Sequence, residues 1–216
     1  MIVSKFIRLL NRVFRHKMTP SELLEKKQRE DYEFLCKHGV ETEIGFVELI
    51  GQPIISCKQG GRIIIGKGVK LVSDSEYNIA GINHPVSLAA EGPDAVIIIE
   101  DGVGISGGSI VTCSKIRIGV DTLIGVNCNI FGTDFHCIST TDRLKQQKMS
   151  EAATAPIEIG ERCWLGANVT VLKGVTIGQE SIIGTMSLVN KNIPSHSIAA
   201  GVPARIITAD KNTSTS

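Results

Sequence analysis

One histidine of this 216-residue chain stands where it could carry out acid–base chemistry. His136 ends the run Thr133-Asp134-Phe135-His136, which opens a long polar stretch in an otherwise repetitive sequence. A neutral imidazole can take a proton from a hydroxyl at physiological pH, because its unperturbed pKa is about 6.5. Asp134 lies two residues earlier, so in an extended segment its carboxylate would project to the same side, where it could orient the imidazole or raise its basicity. The plainer alternative is a surface loop whose histidine and aspartate have no chemical role.

A metal centre is a weaker interpretation of the same residue type. The chain has five histidines, and no two of them lie at the short spacing of a metal-binding motif. A catalytic zinc ion takes about three protein ligands, whereas only His136 falls between residues 97 and 190. We therefore expect no metal requirement.

The element that must position His136 is a six-residue repeat. Aliphatic residues recur at every sixth position from Ile159 to Val189, and glycine directly follows four of them. At 3.6 residues per turn, such a set would wander around a helix instead of lining one side. A hexapeptide repeat is typical of a parallel β-helix, in which each repeat supplies one short strand and one corner. Each aliphatic side chain then points into a three-sided prism and stacks on its equivalent three repeats later, as Ile159 would on Ile177.

The composition agrees with a narrow solenoid. Hydrophobic residues make up 42% of the chain and aromatic residues only 4%, which favours a core of β-branched aliphatic residues on extended backbone. The net charge of +1 gives no electrostatic basis for binding nucleic acid. The six cysteines form no C-x-x-C motif, and we interpret those in the repeats (Cys113, Cys128 and Cys163) as reduced residues of a cytoplasmic protein.

The sequence divides into three regions. We expect residues 1–40 to form an N-terminal helical region and residues 41–208 to form the β-helix. Two stretches rich in polar residues, glycine and proline interrupt the repeat as loops, at about 76–95 and 131–156. Residues 209–216 are small and polar, and we expect a flexible tail.

Two helices are expected in the N-terminal region. Residues 2–17 have the spacing of a basic amphipathic helix, which we expect either to pack on its own β-helix or a neighbouring subunit, or to lie on an anionic membrane surface. The second helix has a capping box, with Thr19 as N-cap, Pro20 in the first turn and Glu22 as the reciprocal partner. This helix should run to about Cys36.

The later repeats also resemble a known family. The motifs CWLGANV, NKNIP and AAGVPAR follow one another in this order, after a loop that contains DFH. Together they resemble the C-terminal signature of the hexapeptide-repeat acyltransferases, especially the bacterial sugar and polysaccharide O-acetyltransferases related to the maltose and galactoside acetyltransferases. The likeness covers roughly residues 60–207. It implies a left-handed parallel β-helix. The repeat spacing does not show this handedness, and it is opposite to the right-handed crossovers that are the general rule for parallel strands.

The resemblance further implies a site and its ligands. The family is homotrimeric, with acetyl-coenzyme A (acetyl-CoA) in a groove between subunits and the sugar or glycan acceptor entering from the other side. His136 falls where the family keeps its catalytic base. The residues that match acetyl-CoA contacts are Trp164, Ala167, Thr185, Asn190, Lys191 and Arg205. We assign to the acceptor side Asn83, His84 and Ser106.

The resemblance implies an O-acetyltransferase that acts on a sugar hydroxyl in surface polysaccharide biosynthesis, such as that of capsule or O-antigen. His136 would take the hydroxyl proton as the oxygen attacks the thioester, without an acyl-enzyme. The enzyme would work in the cytoplasm, at the inner membrane face if residues 2–17 bind lipid. The alternatives are acetylation of an amino sugar, acetylation of an amino acid hydroxyl, and a β-helix that serves only as a non-catalytic assembly module.

Overall fold

Three parallel sheets wound into a prism account for most of the molecule, in a computed structural model that describes residues 18–209. The strands are short, and the chain passes from one face of the prism to the next after each of them. In chain order they are β1 (Val40–Glu41), β2 (Val47–Ile50), β3 (Ile54–Lys58), β4 (Arg62–Ile65), β5 (Val69–Val72), β6 (Ser87–Glu91), β7 (Val96–Ile99), β8 (Gly104–Ser106), β9 (Ser109–Thr112), β10 (Lys115–Ile118), β11 (Leu123–Ile124), β12 (Asn129–Phe131), β13 (Ile157–Ile159), β14 (Trp164–Leu165), β15 (Thr170–Leu172), β16 (Thr176–Ile177), β17 (Ile182–Ile183), β18 (Leu188–Val189), β19 (Ser197–Gly201) and β20 (Ala204–Ala209).

Each face of the prism is one sheet. Face 1 contains β1, β4, β7, β10, β13 and β16, and face 3 contains β3, β6, β9, β12, β15 and β18. Face 2 contains β2, β5, β8, β11, β14, β17, β19 and β20. Three successive strands, one on each face, make one coil of the prism. Strands of successive coils pair in parallel, except that β20 turns back antiparallel to β19 at the C-terminal end. The predicted β-helix is therefore present, and its first strand begins at Val40, one residue before the predicted boundary.

The core is a set of aliphatic columns, one inside each face. On face 1, for example, Ile99, Ile118, Ile159 and Ile177 pair in register from coil to coil, and all four are buried. The predicted stacking of Ile159 on Ile177 is confirmed. Complete burial of one such side chain contributes about 1.5–3 kcal/mol as an upper estimate, so repetition of a small contact stabilises the whole prism.

The corner glycines allow close backbone approach. From the repeat pattern alone, glycine at these corners could be required for a positive φ or for close approach of the backbone of the next coil. A Cβ on Gly160 would lie 2.5 Å from the backbone nitrogen of Gln179 in the next coil. Positive φ instead occurs two residues later, at Arg162 (52°), and close approach is therefore the reason for glycine here.

Helix α1 (Pro20–Lys37) covers the N-terminal end of the prism. Its predicted capping box is confirmed, because the Glu22 N–H donates to the Thr19 hydroxyl and the Thr19 N–H donates to the Glu22 carboxylate. Strand β2 is the free edge of face 2, and α1 satisfies its backbone at Leu49: the N–H donates to Asp31 (3.1 Å) and the carbonyl accepts from Lys27 (2.7 Å). The helix thus protects an edge that would otherwise invite association.

Several predicted segments fall beyond the residues that the structure describes. These are the amphipathic segment 2–17 and residues 210–216 of the expected tail, whose first residue, Ala209, ends β20. Within residues 18–209, the longest helix is too polar to cross a bilayer.

The two predicted interruptions need correction. The first loop ends at residue 86, because β6 follows with Leu88 and Ala90 turned into the core. The glycines and prolines on both sides of β6 hid this strand in the sequence. The second interruption is not unstructured, since it contains the short helix α2 (Thr140–Lys145) and a 3-10 turn (Met149–Glu151).

Candidate active site

His136 lies on an exposed turn of the loop that follows β12, at the edge between faces 3 and 1. Phe135 has a φ of 61°, and the His136 N–H donates to the Asp134 carbonyl at 2.7 Å. The segment is therefore a tight turn, and the expectation of an extended segment with both side chains on one side is wrong. The Asp134 carboxylate accepts instead from Lys173 Nζ at 2.7 Å, so this pair joins the loop to the next coil.

Gln146 holds the turn on both sides of His136. Its Oε1 accepts from the Cys137 N–H (2.8 Å), and its Nε2 donates to the Phe135 carbonyl (2.8 Å). Both backbone neighbours of the histidine are thus fixed by one half-buried amide. Gln146 stands in a polar run with no sequence signal that separates it from Gln147, and reasoning from the sequence missed it.

The imidazole faces a small open cleft. The cleft has a volume of about 230 Å³ and is lined by Phe135, His136, Gln146, Gln147, Lys148 and Met149. The Phe135 ring contacts Phe131 edge to face, with 5.1 Å between centroids, which presses the turn against β12. Within residues 18–209, the His136 side chain has no hydrogen bond or ion pair, so its ring nitrogens are free for a substrate.

Trp164 lies on the outer surface of face 2. Its side chain is 54% exposed and stands in register between Leu123 and Ile182 of the neighbouring coils. These three side chains, together with the exposed Ile198 of β19, form an apolar row along the prism, which we call the face 2 row. An exposed indole flanked by aliphatic residues can cover an apolar ligand arm or a neighbouring subunit.

Ala167 and Thr185 lie at the edge between faces 2 and 3, on successive coils. A Cβ on Gly166 would lie 2.7 Å from the Thr185 nitrogen, so the two coils are in direct backbone contact there. Ala167 is half-buried and Thr185 is exposed.

Lys191 and Arg205 share a cleft at the C-terminal end of the prism. The cleft has a volume of about 310 Å³ and is lined by Lys191, Asn192, Ile193, Ala204, Arg205 and Ile206. Asn190 precedes it and is exposed directly after β18. Two cations in one cleft fit the phosphates of a coenzyme A molecule, because Arg and Lys donate charge-assisted hydrogen bonds to phosphate oxygens.

The three residues assigned to the acceptor side come together at the edge between faces 2 and 3. Asn83 and His84 lie in the loop between β5 and β6, and Ser106 ends β8 at the same edge. A Cβ on Gly107 would lie only 3.1 Å from the His84 carbonyl oxygen, which shows how closely the loop approaches Ser106. The His84 Nδ1 lies 2.8 Å from the Pro85 carbonyl.

The buried cysteines do not supply a nucleophile. Burial raises the pKa of the Cys128 thiol to about 11, and its Sγ donates to the Gly166 carbonyl at 3.1 Å. Burial also raises the pKa of Cys163, next to Trp164. Both remain thiols at neutral pH, and a thiol is a much poorer nucleophile than a thiolate. Between residues 18 and 209, no cluster of His, Cys, Asp and Glu side chains could hold a metal ion.

The predicted residues do not meet in one cleft of a single chain. His136, Asn190 and Lys191 lie along the edge between faces 3 and 1, whereas Ala167 and Thr185 lie along the edge between faces 2 and 3. Face 3 separates these two edges.

Comparison with known proteins identifies the repeat. Residues 156–191 match the family model described as "Bacterial transferase hexapeptide (six repeats)". A probable acetyltransferase of Mycobacterium tuberculosis is 31% identical over 158 residues, which cover 68% of this chain and 50% of that protein. A putative lipopolysaccharide biosynthesis O-acetyl transferase of Escherichia coli, WbbJ, is 34% identical over 117 residues, 52% of this chain and 60% of that protein. The chain thus spans about half to three fifths of the length of these curated relatives.

A solved structure agrees with the sequence matches. The crystal structure of the polySia-specific acetyltransferase NeuO has a TM-score of 0.61 and 27% identity, over 76% of this chain and 68% of that one. This likeness and the repeat match support the fold prediction, a left-handed parallel β-helix with an N-terminal helix. The resemblance predicted from the sequence is therefore confirmed: this chain contains the bacterial transferase hexapeptide repeat, and its relatives are named as acetyltransferases, one of them as a putative O-acetyl transferase of lipopolysaccharide biosynthesis.

Proposed function

We propose that this chain is an acetyl-CoA-dependent O-acetyltransferase that modifies a sugar hydroxyl of a surface polysaccharide or its precursor. The observation that supports this most is the state of His136. Its imidazole is exposed, its backbone is held on both sides by Gln146, and it has no bonding partner among residues 18–209. An imidazole held in this way is suited to remove a proton from an incoming hydroxyl.

The proposed reaction is direct transfer. The acceptor hydroxyl gives its proton to a neutral ring nitrogen of His136 as its oxygen attacks the thioester carbonyl carbon. The carbon–sulfur bond then breaks, and the protonated imidazole returns the proton to the departing thiolate of coenzyme A. A general base of this kind contributes about 100- to 10,000-fold to the rate, and the remainder must come from holding the two substrates together.

The acetyl-CoA site would use Trp164, Ala167 and Thr185 along the pantetheine arm, and Lys191 and Arg205 at the phosphates. The shared cationic cleft of Lys191 and Arg205 and the exposed indole of Trp164 both fit this ligand. The proposed reaction uses no metal ion, so none of residues 18–209 is assigned as a metal ligand.

We propose a homotrimer as the working unit. In one chain the residues of the site lie on two edges of the prism, so a complete site requires the edge of one subunit to face that of another. The exposed face 2 row is an apolar surface of the kind that subunit contacts cover.

The acceptor class is supported by the relatives. One is named for O-acetyl transfer in lipopolysaccharide biosynthesis, and another is named as specific for polySia. We propose a glycan hydroxyl acceptor and a cytoplasmic reaction, because acetyl-CoA is an intracellular donor.

The test is acetyl-CoA consumption in the presence of a panel of acceptors, including galactosides, polysialic acid fragments and amino sugars. We expect coenzyme A release with a sugar hydroxyl acceptor and a product ester that mild hydroxylamine cleaves. An amide product, which resists hydroxylamine, would show N-acetylation instead. Absence of both coenzyme A release and a thermal shift with coenzyme A would leave only the role of an assembly module.

A further inference from the structure

One buried asparagine ties the loop between β5 and β6 to the prism. Asn127 lies at the edge between faces 2 and 3 and is only 8% exposed. Its Oδ1 accepts from the Asn83 N–H at 2.8 Å, and its Nδ2 donates to the Gly81 carbonyl at 3.0 Å. Both hydrogen bonds reach backbone groups more than 40 residues earlier in the chain, and both lie in one short stretch of the loop.

The loop also packs against the edge that Asn127 occupies. Ile82, between the two bonded residues, is buried with Val72 and Val126, and Ala167 packs against this small cluster from the next coil. The loop thus contributes Ile82 to an apolar cluster against which Ala167, a position that we assign to the acetyl-CoA site, also packs. Two hydrogen bonds and the buried Ile82 side chain therefore fix the position of the loop relative to the proposed acetyl-CoA site.

The loop presents a histidine of defined tautomer. A carbonyl oxygen can only accept, so the neutral His84 ring carries its proton on Nδ1 and donates it to the Pro85 carbonyl at 2.8 Å. The Nε2 atom is then an unprotonated hydrogen-bond acceptor. Asn83 beside it is exposed and supplies an amide with both a donor and an acceptor. This combination is suited to sugar hydroxyls, which both donate and accept.

We propose that Asn127 is a positioning residue for the glycan acceptor: it fixes the loop so that His84 Nε2 and the Asn83 amide bind acceptor hydroxyls beside the acetyl-CoA edge. The proposal rests on the proposed O-acetyltransferase function. Asn127 itself touches neither substrate. It acts through the backbone at Gly81 and Asn83.

The conformation of Asn127 determines the best variant. Its φ of 60° is in the left-handed region, which glycine adopts without strain. Asn127→Gly therefore removes the two hydrogen bonds and preserves the backbone conformation at this corner. The matched control is Asp121→Gly, another left-handed corner residue (φ 56°) whose exposed side chain forms no hydrogen bond in the described chain and which lies on the edge between faces 1 and 2.

The experiment measures steady-state kinetics of the full chain, with polysialic acid fragments and methyl galactoside as acceptors. For Asn127→Gly we expect the KM for the acceptor to rise by about tenfold or more, since two hydrogen bonds that order the loop are lost. The KM for acetyl-CoA and the kcat at saturating acceptor should stay within about twofold, as expected when only acceptor binding is weakened. Hydrogen exchange at the Asn83 amide should accelerate in Asn127→Gly and not in Asp121→Gly.

A second variant guards against a folding failure. Asn127→Asp keeps the left-handed preference and the acceptor for the Asn83 N–H, but it replaces the donor to Gly81 with a carboxylate oxygen that faces the Gly81 carbonyl oxygen, so its acceptor KM should rise as well. If the wild type is active and the acceptor KM is unchanged in both variants, the proposed role of Asn127 is overturned while the proposed function stands. An equal rise in the KM of both substrates would also overturn it, because the effect would then be general. A wild type that releases no coenzyme A with any acceptor would overturn the proposed function, and this role with it.

Discussion

The substitution Gly160→Ala is expected to destabilise the β-helix by about 3 kcal/mol, near the upper end of overpacking costs. Gly160 follows Ile159 at a corner of the prism, directly beneath the next coil. A Cβ at this position would lie 2.5 Å from the nitrogen and 2.7 Å from the Cα of Gln179. Cβ atoms in real structures essentially never come within 3.0 Å of another heavy atom, so the two coils must separate locally.

The magnitude follows from the rigidity of the atoms that must move. Successive coils are held about 4.8 Å apart by their hydrogen bonds. One of these is the bond from the Gly160 N–H to the Ile177 carbonyl at 2.8 Å. Overpacking costs about 1–3 kcal/mol, and the upper end applies because the obstacle is backbone. For a chain of this size, each kcal/mol lowers Tm by about 2–4 °C, so we expect a fall of about 6–12 °C.

A matched glycine provides the control. Gly104 in β8 also lacks a positive φ, but its added Cβ would approach only the Leu123 Cδ2 atom, at 3.2 Å. That exposed side chain can rotate away, and alanine also reduces the entropy of the unfolded chain, so Gly104→Ala should change stability by less than about 1 kcal/mol. Both variants are compared by thermal unfolding, followed by far-ultraviolet circular dichroism at one protein concentration. Equal Tm values for Gly160→Ala and Gly104→Ala would refute direct stacking of backbone at the corners.

Three further predictions concern the site and its surroundings. Cys128, whose pKa is raised to about 11 by burial, should resist alkylation in the native protein at pH 8, whereas the exposed Cys36 should react. Peptide mapping after labelling checks this, and rapid labelling of both cysteines would contradict the burial of Cys128. Gln146→Ala should lower kcat by about tenfold or more while leaving the KM for acetyl-CoA unchanged, because the turn around His136 is loosened; an unaltered kcat would remove Gln146 from that role. If residues 2–17 bind an anionic membrane surface, the full chain should float with anionic liposomes and a chain that lacks residues 1–17 should not, whereas identical behaviour of both would end this idea.

The amino-acid sequence is sufficient to predict the solenoid, because its signal repeats. Each hexad has the same pattern, so one ambiguous repeat does not obscure the period, and the six-residue spacing alone predicts the pairing of Ile159 with Ile177. Strand β6 was missed because its residues Ser87–Glu91 are not strong strand formers and are bounded by glycine and proline. Only the neighbouring coils make this segment a strand.

The site could be predicted in part. The role of His136 stays a prediction from its place in the loop, whereas the predicted pairing of His136 with Asp134 is wrong, since the positive φ at Phe135 turns the chain and Asp134 pairs with Lys173 instead. Lys173 and Asn127 meet their partners about 40 residues away through the stacking of coils. No local pattern in the sequence indicates which residues the winding brings together.

The most direct test of the proposed reaction is a kinetic comparison of His136→Ala with Arg205→Ala in the acetyl transfer assay. For His136→Ala we expect a loss of kcat of about 100- to 10,000-fold with unchanged affinity for coenzyme A, because only the proton acceptor is removed. For Arg205→Ala we expect a raised KM for acetyl-CoA with a smaller effect on kcat, because a phosphate contact is lost. A His136→Ala variant that turns over as fast as the wild type would contradict the central role assigned to this histidine.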